Sequence, residues 1–122
     1  MNITNAESQV MELLWRSAPR TSEDLIATLS PAQNWSEATV RTLIGRLVKK
    51  KAVAADPEGR RFLYRPLVAR GDYVLAESEN LIDRLFEGRV SPFLMQFADR
   101  QKLTADDVAE LKKMIAEFDD GR

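Results

Sequence analysis

The sequence predicts a mainly α chain with a small β-hairpin wing: a winged helix-turn-helix over residues 1–68, then a helical dimerisation segment over residues 69–122. Three observations predict it. Two short capped helical stretches precede a longer one whose exposed side is basic rather than mixed in charge. The apolar period then switches from helical to alternating across a turn that contains Pro and Gly. Beyond it, about 50 residues of amphipathic pattern hold many large apolar groups but are too few to close a core alone.

The first helix opens at Thr4-Asn5-Ala6-Glu7, which has the spacing of a capping box, and runs to about Ser17. Val10, Leu13 and Leu14 form its inner stripe, with Trp15 at the domain edge, and Ala18-Pro19-Arg20 breaks it. Thr21-Ser22-Glu23-Asp24 repeats the capping pattern for a second helix carrying Leu25, Ile26 and Leu29, which Ser30-Pro31 is expected to close.

The third helix starts after Ser36, a residue able to cap its first amides. Val40, Leu43, Ile44, Leu47 and Val48 recur at helical spacing and make one apolar stripe. Ala38, Arg41, Thr42, Gly45, Arg46 and Lys49 fall on the other side, which lacks the Glu/Lys alternation of an ordinary solvated face. Small residues there allow close approach of the backbone, and Arg41 and Arg46 can fork onto phosphates or guanine edges. That side is expected to face the DNA major groove: Arg41 and Arg46 on bases or nearby phosphates, Ser36, Thr39, Thr42, Lys49 and Lys50 mostly on the backbone, Ala38 leaving room. The plain alternative is a solvated helix with a basic end near its negative dipole.

Ala52-Val53-Ala54-Ala55 and Arg61-Phe62-Leu63-Tyr64-Arg65 read as strands around Asp56-Pro57-Glu58-Gly59, where Pro and Gly suit a type I turn within a slightly longer loop. Pro66 ends the second strand. With Arg60 and Arg61 near its tip, the hairpin is expected to act as a DNA-binding wing.

Charge distribution agrees with that reading where net charge does not. The whole chain carries −1, yet residues 36–65 hold 8 Lys/Arg against 3 Asp/Glu, and residues 67–122 hold 8 against 12. Phosphate affinity follows the local patch. The acidic surplus keeps the second segment off DNA.

Composition removes several function classes. Cysteine and histidine are both absent, so disulfides, thiolate or imidazole zinc sites, Ser-His triads and Cys-His nucleophiles are excluded. No Gly-rich phosphate loop is present, an enzyme is the weakest reading, and no cofactor or metal is expected. No apolar run approaches the ~18 residues of a membrane span, and the polar N-terminus is unlike a signal peptide. The expected location is the cytoplasm, without membrane insertion.

In the second segment, a long helix with Tyr73, Val74, Leu81, Ile82, Leu85 and Phe86 ends near Gly88. A shorter apolar one begins at Pro92-Phe93-Leu94, and Thr104-Ala105-Asp106-Asp107 caps a last helix with Val108, Leu111, Met114, Ile115 and Phe118 on one face. A second copy of the segment would cover these groups. The expected dimer core is Leu81, Leu85, Phe86, Phe93, Phe97, Leu111, Ile115 and Phe118, and a homodimer would present two recognition helices to a palindromic operator. The alternative is that these helices fold back on the N-terminal domain.

These residues also carry a family resemblance. Glu7-Ser8-Gln9-Val10-Met11-Glu12-Leu13-Leu14-Trp15, the stretch from Trp35 to Lys50 and Gly59-Arg60-Arg61-Phe62-Leu63-Tyr64 resemble the penicillinase and methicillin-resistance repressors of the BlaI/MecI/CopY type, over about residues 3–118. The resemblance implies a dimeric transcriptional repressor reading inverted repeats in promoters. Ala52 departs from it where such proteins usually have Gly. It further implies that a membrane sensor-protease system relieves repression by cutting an Asn-Phe bond in the dimerisation segment. The matching bond here is Gln96-Phe97, which lacks the Asn. Copper-responsive members carry a cysteine-rich tail, so the resemblance does not imply copper sensing for a chain without cysteine. From a different function class, a winged-helix module binding an acidic protein partner fits the same basic face.

Overall fold

The computed structural model of the chain describes residues 2–121. In order they form α1 (Asn5–Arg16), α2 (Ser22–Gln33), α3 (Glu37–Lys49), β1 (Val53–Glu58), β2 (Arg61–Pro66), α4 (Arg70–Phe86), α5 (Val90–Asp99) and α6 (Ala105–Asp120). Three of the helices begin in complete capping boxes, Thr4 with Glu7, Thr21 with Asp24 and Thr104 with Asp107. Each box satisfies two amides that the first turn would otherwise leave open. No helix among the described residues is long and apolar enough to cross a membrane.

The chain divides into two compact units between Val74 and Leu75, inside α4. This division lies beyond the boundary expected after residue 68, because the first turn of α4 is tied to α1. The Trp15 indole donates to the Val68 carbonyl at 2.8 Å, its ring lies 5.4 Å from that of Tyr73, and Arg70 pairs with Glu12 at 3.2 Å.

In the first unit α1, α2 and α3 enclose a core in which Val10, Met11, Leu14, Leu25, Val40 and Leu47 are almost completely buried. β1 and β2 pair antiparallel from Val53–Pro66 to Glu58–Arg61. The hairpin is fastened to the link between α1 and α2 by a reciprocal bridge, Arg20 N–H to Tyr64 O at 3.1 Å and Tyr64 N–H to Arg20 O at 2.7 Å. That bridge sets the wing beside α3.

Two expectations are corrected. Pro31 does not close α2, which runs on to Gln33 and ends at Asn34 in the left-handed region, φ 56°. The carbonyl that Pro31 leaves unbonded belongs to Ala27, which is exposed, so water can replace the missing donor. Nor is Asp56-Pro57-Glu58-Gly59 the hairpin loop. The strands continue to Glu58 and Arg61, and Gly59-Arg60 alone makes the turn. Gly59 has φ 63° at its first position, as a type II′ turn requires. Pro57, next to the closing pair, sits where the strand's N–H points away from its partner, so no ladder bond is lost.

α3 ends in a Schellman motif, with Ala52 N–H on Leu47 O at 3.0 Å and Lys51 N–H on Val48 O at 3.0 Å. The left-handed residue is Lys51, φ 65°, while Ala52 is fully buried. A small apolar side chain is what this position accommodates.

The second unit holds the rest of α4 with α5 and α6, and none of these helices has a buried residue. α5 begins at Val90 rather than at Pro92, because a proline in the first turn gives up only an amide that has no helical partner. Phe86, Phe93 and Phe97 stack edge to face at 5.6 and 5.0 Å. Leu85, Met95, Met114 and Ile115 each keep more than half their surface exposed.

Candidate nucleic-acid interface

α3 separates its two sides completely. Val40, Leu43, Ile44 and Leu47 are buried, whereas Ala38, Thr39, Arg41, Thr42, Gly45, Arg46 and Lys49 are exposed. Ser36 Oγ accepts the Thr39 amide at 3.1 Å and lies 3.0 Å from the Thr39 hydroxyl. Thr42 donates its hydroxyl to Ala38 O at 2.9 Å. Its hydrogen is therefore spent inside the helix, and what it offers outward is a methyl group and lone pairs, suited to thymine methyls or to amino donors. Ala38, Thr39, Thr42, Leu43 and Arg46 line one shallow hollow on this side.

The basic residues fall into three groups. Arg46, Lys49 and Arg60 are exposed and make no salt bridge among the described residues. Arg41 and Arg61 are exposed but already face carboxylates: Arg41 pairs with Glu37 at 3.0 Å and Glu23 at 3.7 Å, Arg61 with Glu58 at 2.8 Å. The hydrogen bonds to Glu37 and Glu58 hold the two guanidinium groups above their ordinary pKa.

Lys50 belongs to neither group. Its ammonium reaches back to the Asn2 carbonyl at 2.8 Å and to Glu7, whose side chain is wholly buried. Burial pushes the Glu7 carboxyl up, but the hydrogen bond from Lys50 and those from Thr4 outweigh it and leave the pKa below its ordinary value. Glu7 Oε2 has no partner among the described residues. The structure thus places Lys50 as the counter-ion of a buried carboxylate rather than on the exposed basic side.

Sequence reasoning missed three neighbours of Arg41 and the wing. Ser22 accepts from Arg41 at 3.2 Å, Glu23 approaches from α2, and Phe62, about half exposed, joins Arg41, Ile44, Gly45 and Tyr64 around a groove between α3 and the hairpin. Only the Glu37–Arg41 spacing of four was visible beforehand. Among the described residues no cluster of carboxylates could hold a metal ion. Gln96-Phe97 lies within α5, and the Phe97 ring is half-buried against Phe93.

Residues 3–117 match the family described as penicillinase repressor. The chain belongs to that family. It is 30% identical over 115 residues to the penicillinase repressor of Bacillus licheniformis, spanning 94% of this chain and 90% of the relative. It is 28% identical over 113 residues to the methicillin resistance regulatory protein MecI of Staphylococcus aureus, spanning 93% and 92%. Among solved structures it is similar to the monomeric form of Bacillus licheniformis BlaI in complex with the blaP half-operator. That match has a TM-score of 0.54 and 36% identity, and covers 60% of this chain and 89% of the other. The fold of this family member is mainly α with a two-stranded wing, as the sequence predicts.

Proposed function

We propose that this chain is a homodimeric transcriptional repressor that occupies palindromic operators through α3 and its wing. It is a regulator and not an enzyme, in keeping with its family. The observation that carries the reading is α3 itself, apolar and buried on one side, positive and uncovered on the other, with Arg60 at the tip of an adjoining hairpin. A solved relative bound to a half-operator supports it further.

Dimerisation is supported by the second unit, whose helices leave no residue fully buried. Leu81, Leu85, Phe86, Phe93, Phe97, Leu111, Ile115 and Phe118 are half-buried or exposed there. Apolar surface of this extent calls for a covering partner, and an identical segment matches the two-fold symmetry of a palindrome. The working location is the cytoplasm, where such DNA lies. Relief by a sensor-protease cutting Gln96-Phe97 would require α5 to open first, since proteolysis acts on locally unfolded backbone.

Fluorescence anisotropy on labelled duplexes tests the DNA face. Arg46→Ala should weaken operator binding roughly tenfold to a hundredfold if the guanidinium forks onto a base. Replacing Arg60 and Arg61 together should flatten the slope of log K against log salt by up to about two phosphate contacts. Unchanged affinity and slope, or equal affinity for operator and random duplexes, would favour an acidic protein partner for this face instead.

A further inference from the structure

Arg41 occupies the middle of the exposed side of α3, yet it is the cation there with the most carboxylate around it. Glu37 Oε1, one turn earlier, accepts from both Nε at 3.3 Å and Nη2 at 3.0 Å. Glu23 Oε1 lies 3.7 Å from Nη2, and the Ser22 hydroxyl accepts from Nη1 at 3.2 Å. All three charged side chains are about half exposed or more, so no burial requires them to pair. A chain that needed only general attraction to phosphate would leave Arg41 as open as Arg46 and Lys49.

We propose that Glu37, seconded by Glu23, is a specificity-determining positioning residue that neutralises Arg41 toward phosphates while aiming its guanidinium at a base edge. The inference rests on the reading of α3 as the DNA face. Its logic is electrostatic and geometric. Phosphate binds a guanidinium chiefly through net charge, and random-sequence binding consists almost wholly of such contacts. With two carboxylates beside it, Arg41 has little net charge to offer a phosphate, and bringing DNA close sets those carboxylates against the polyanion. A guanine edge is different: it presents two neutral acceptors, O6 and N7, and rewards a fork held in the right plane. Glu37 grips the Nε–Nη2 side, which leaves the Nη1–Nη2 edge, hydrogen-bonded only to the Ser22 hydroxyl and with Glu23 Oε1 3.7 Å from Nη2, as the one to be offered. The hydrogen bond to Glu37 raises the Arg41 pKa, in agreement with this pairing, whereas Glu23 is lowered chiefly by its own backbone amide and only secondarily by the Arg41 charge. Specificity then comes from suppressing the wrong contact as much as from making the right one.

The test uses the full chain, the duplex that the wild-type protein enriches from a randomised library, and a random duplex of equal length. Glu37→Gln should raise affinity for the random duplex about two- to fivefold, the size of an exposed ion pair, and steepen its salt slope by about 0.9. Affinity for the enriched duplex should rise less or fall, so the ratio of the two drops. Glu23→Gln should act in the same direction with smaller amplitude. Combined with Arg41→Ala, Glu37→Gln should leave the ratio where Arg41→Ala alone puts it. A Glu37→Gln change that scales both affinities equally, or that persists without Arg41, overturns the proposal while the repressor reading stands. Failure of the wild-type chain to enrich any duplex overturns both.

Discussion

Both units of this chain are built from amphipathic helices with well-formed termini, yet they finish differently. In the first, Val10, Met11, Leu25, Val40 and Leu47 have no measurable exposure. In the second, helices of comparable amphipathicity bury no residue, and Met95 remains 62% exposed. What separates them is how many elements surround each apolar stripe. Three helices and a hairpin converge on the first, whereas three helices alone flank the second. An apolar stripe therefore announces that it will be covered without saying by what.

The strongest way to break this comparison is to remove α6. A truncated chain of residues 1–96 should keep the first unit folded and sediment as a monomer. Losing the second recognition helix should then weaken operator binding by about 10²–10⁴, the usual size of such avidity. A truncated chain that remains a dimer with near-native affinity would show that the second unit is not the assembly device.

Point substitutions sharpen it. Leu47→Ala should destabilise the first unit by about 2–5 kcal/mol, because a cavity opens in a closed core. Chemical denaturation should report the same loss at any protein concentration. Ile115→Ala should instead leave the low-concentration midpoint nearly unchanged and lower the midpoint only where the dimer forms. Equal, concentration-independent losses from both would mean that the second unit has a core of its own.

A smaller effect follows from Lys50 and Glu7. Lys50→Ala leaves a buried carboxylate without its counter-ion, and should cost about 2–3 kcal/mol at neutral pH, less than a fully enclosed pair because the ammonium is partly exposed. The sign of the pH dependence is set by Glu7, whose folded pKa lies below the ordinary 4.5. Its contribution is complete above that value and is lost as pH falls through the folded pKa. The gap between wild type and Lys50→Ala should accordingly narrow in acid. A constant gap from pH 7 to pH 3 in urea titrations would contradict it.

Much of the fold was legible because it is local. The boxes at Thr4, Thr21 and Thr104 involve residues three apart, and the buried stripe of α3 follows from a period of ~3.6. The errors came where local rules met a tolerant environment. Pro31 stays in a helix because the acceptor it abandons is exposed, and Pro57 stays in a strand because its missing donor would have pointed outward. The site was legible as a set of residue types on one side of a helix, but not as a set of charge states. Lys50 and Arg41 look equally available in the sequence. One is drawn to Glu7, distant by 43 residues, and the other is shared between Glu37 and, from across the turn, Glu23.

By itself the sequence determined the helix starts at Thr4, Thr21, Ser36 and Thr104, the polarity of α3 and the position of the hairpin, which depend on residues within a few positions of one another, and the family, which depends on a pattern spread over residues 3–117. Tertiary structure decided which cations remain free, which carboxylate is buried, where the wing is fastened and which apolar stripes are left uncovered. Those depend on contacts between segments far apart in the chain, where burial and pairing follow from spatial neighbours that no local spacing records.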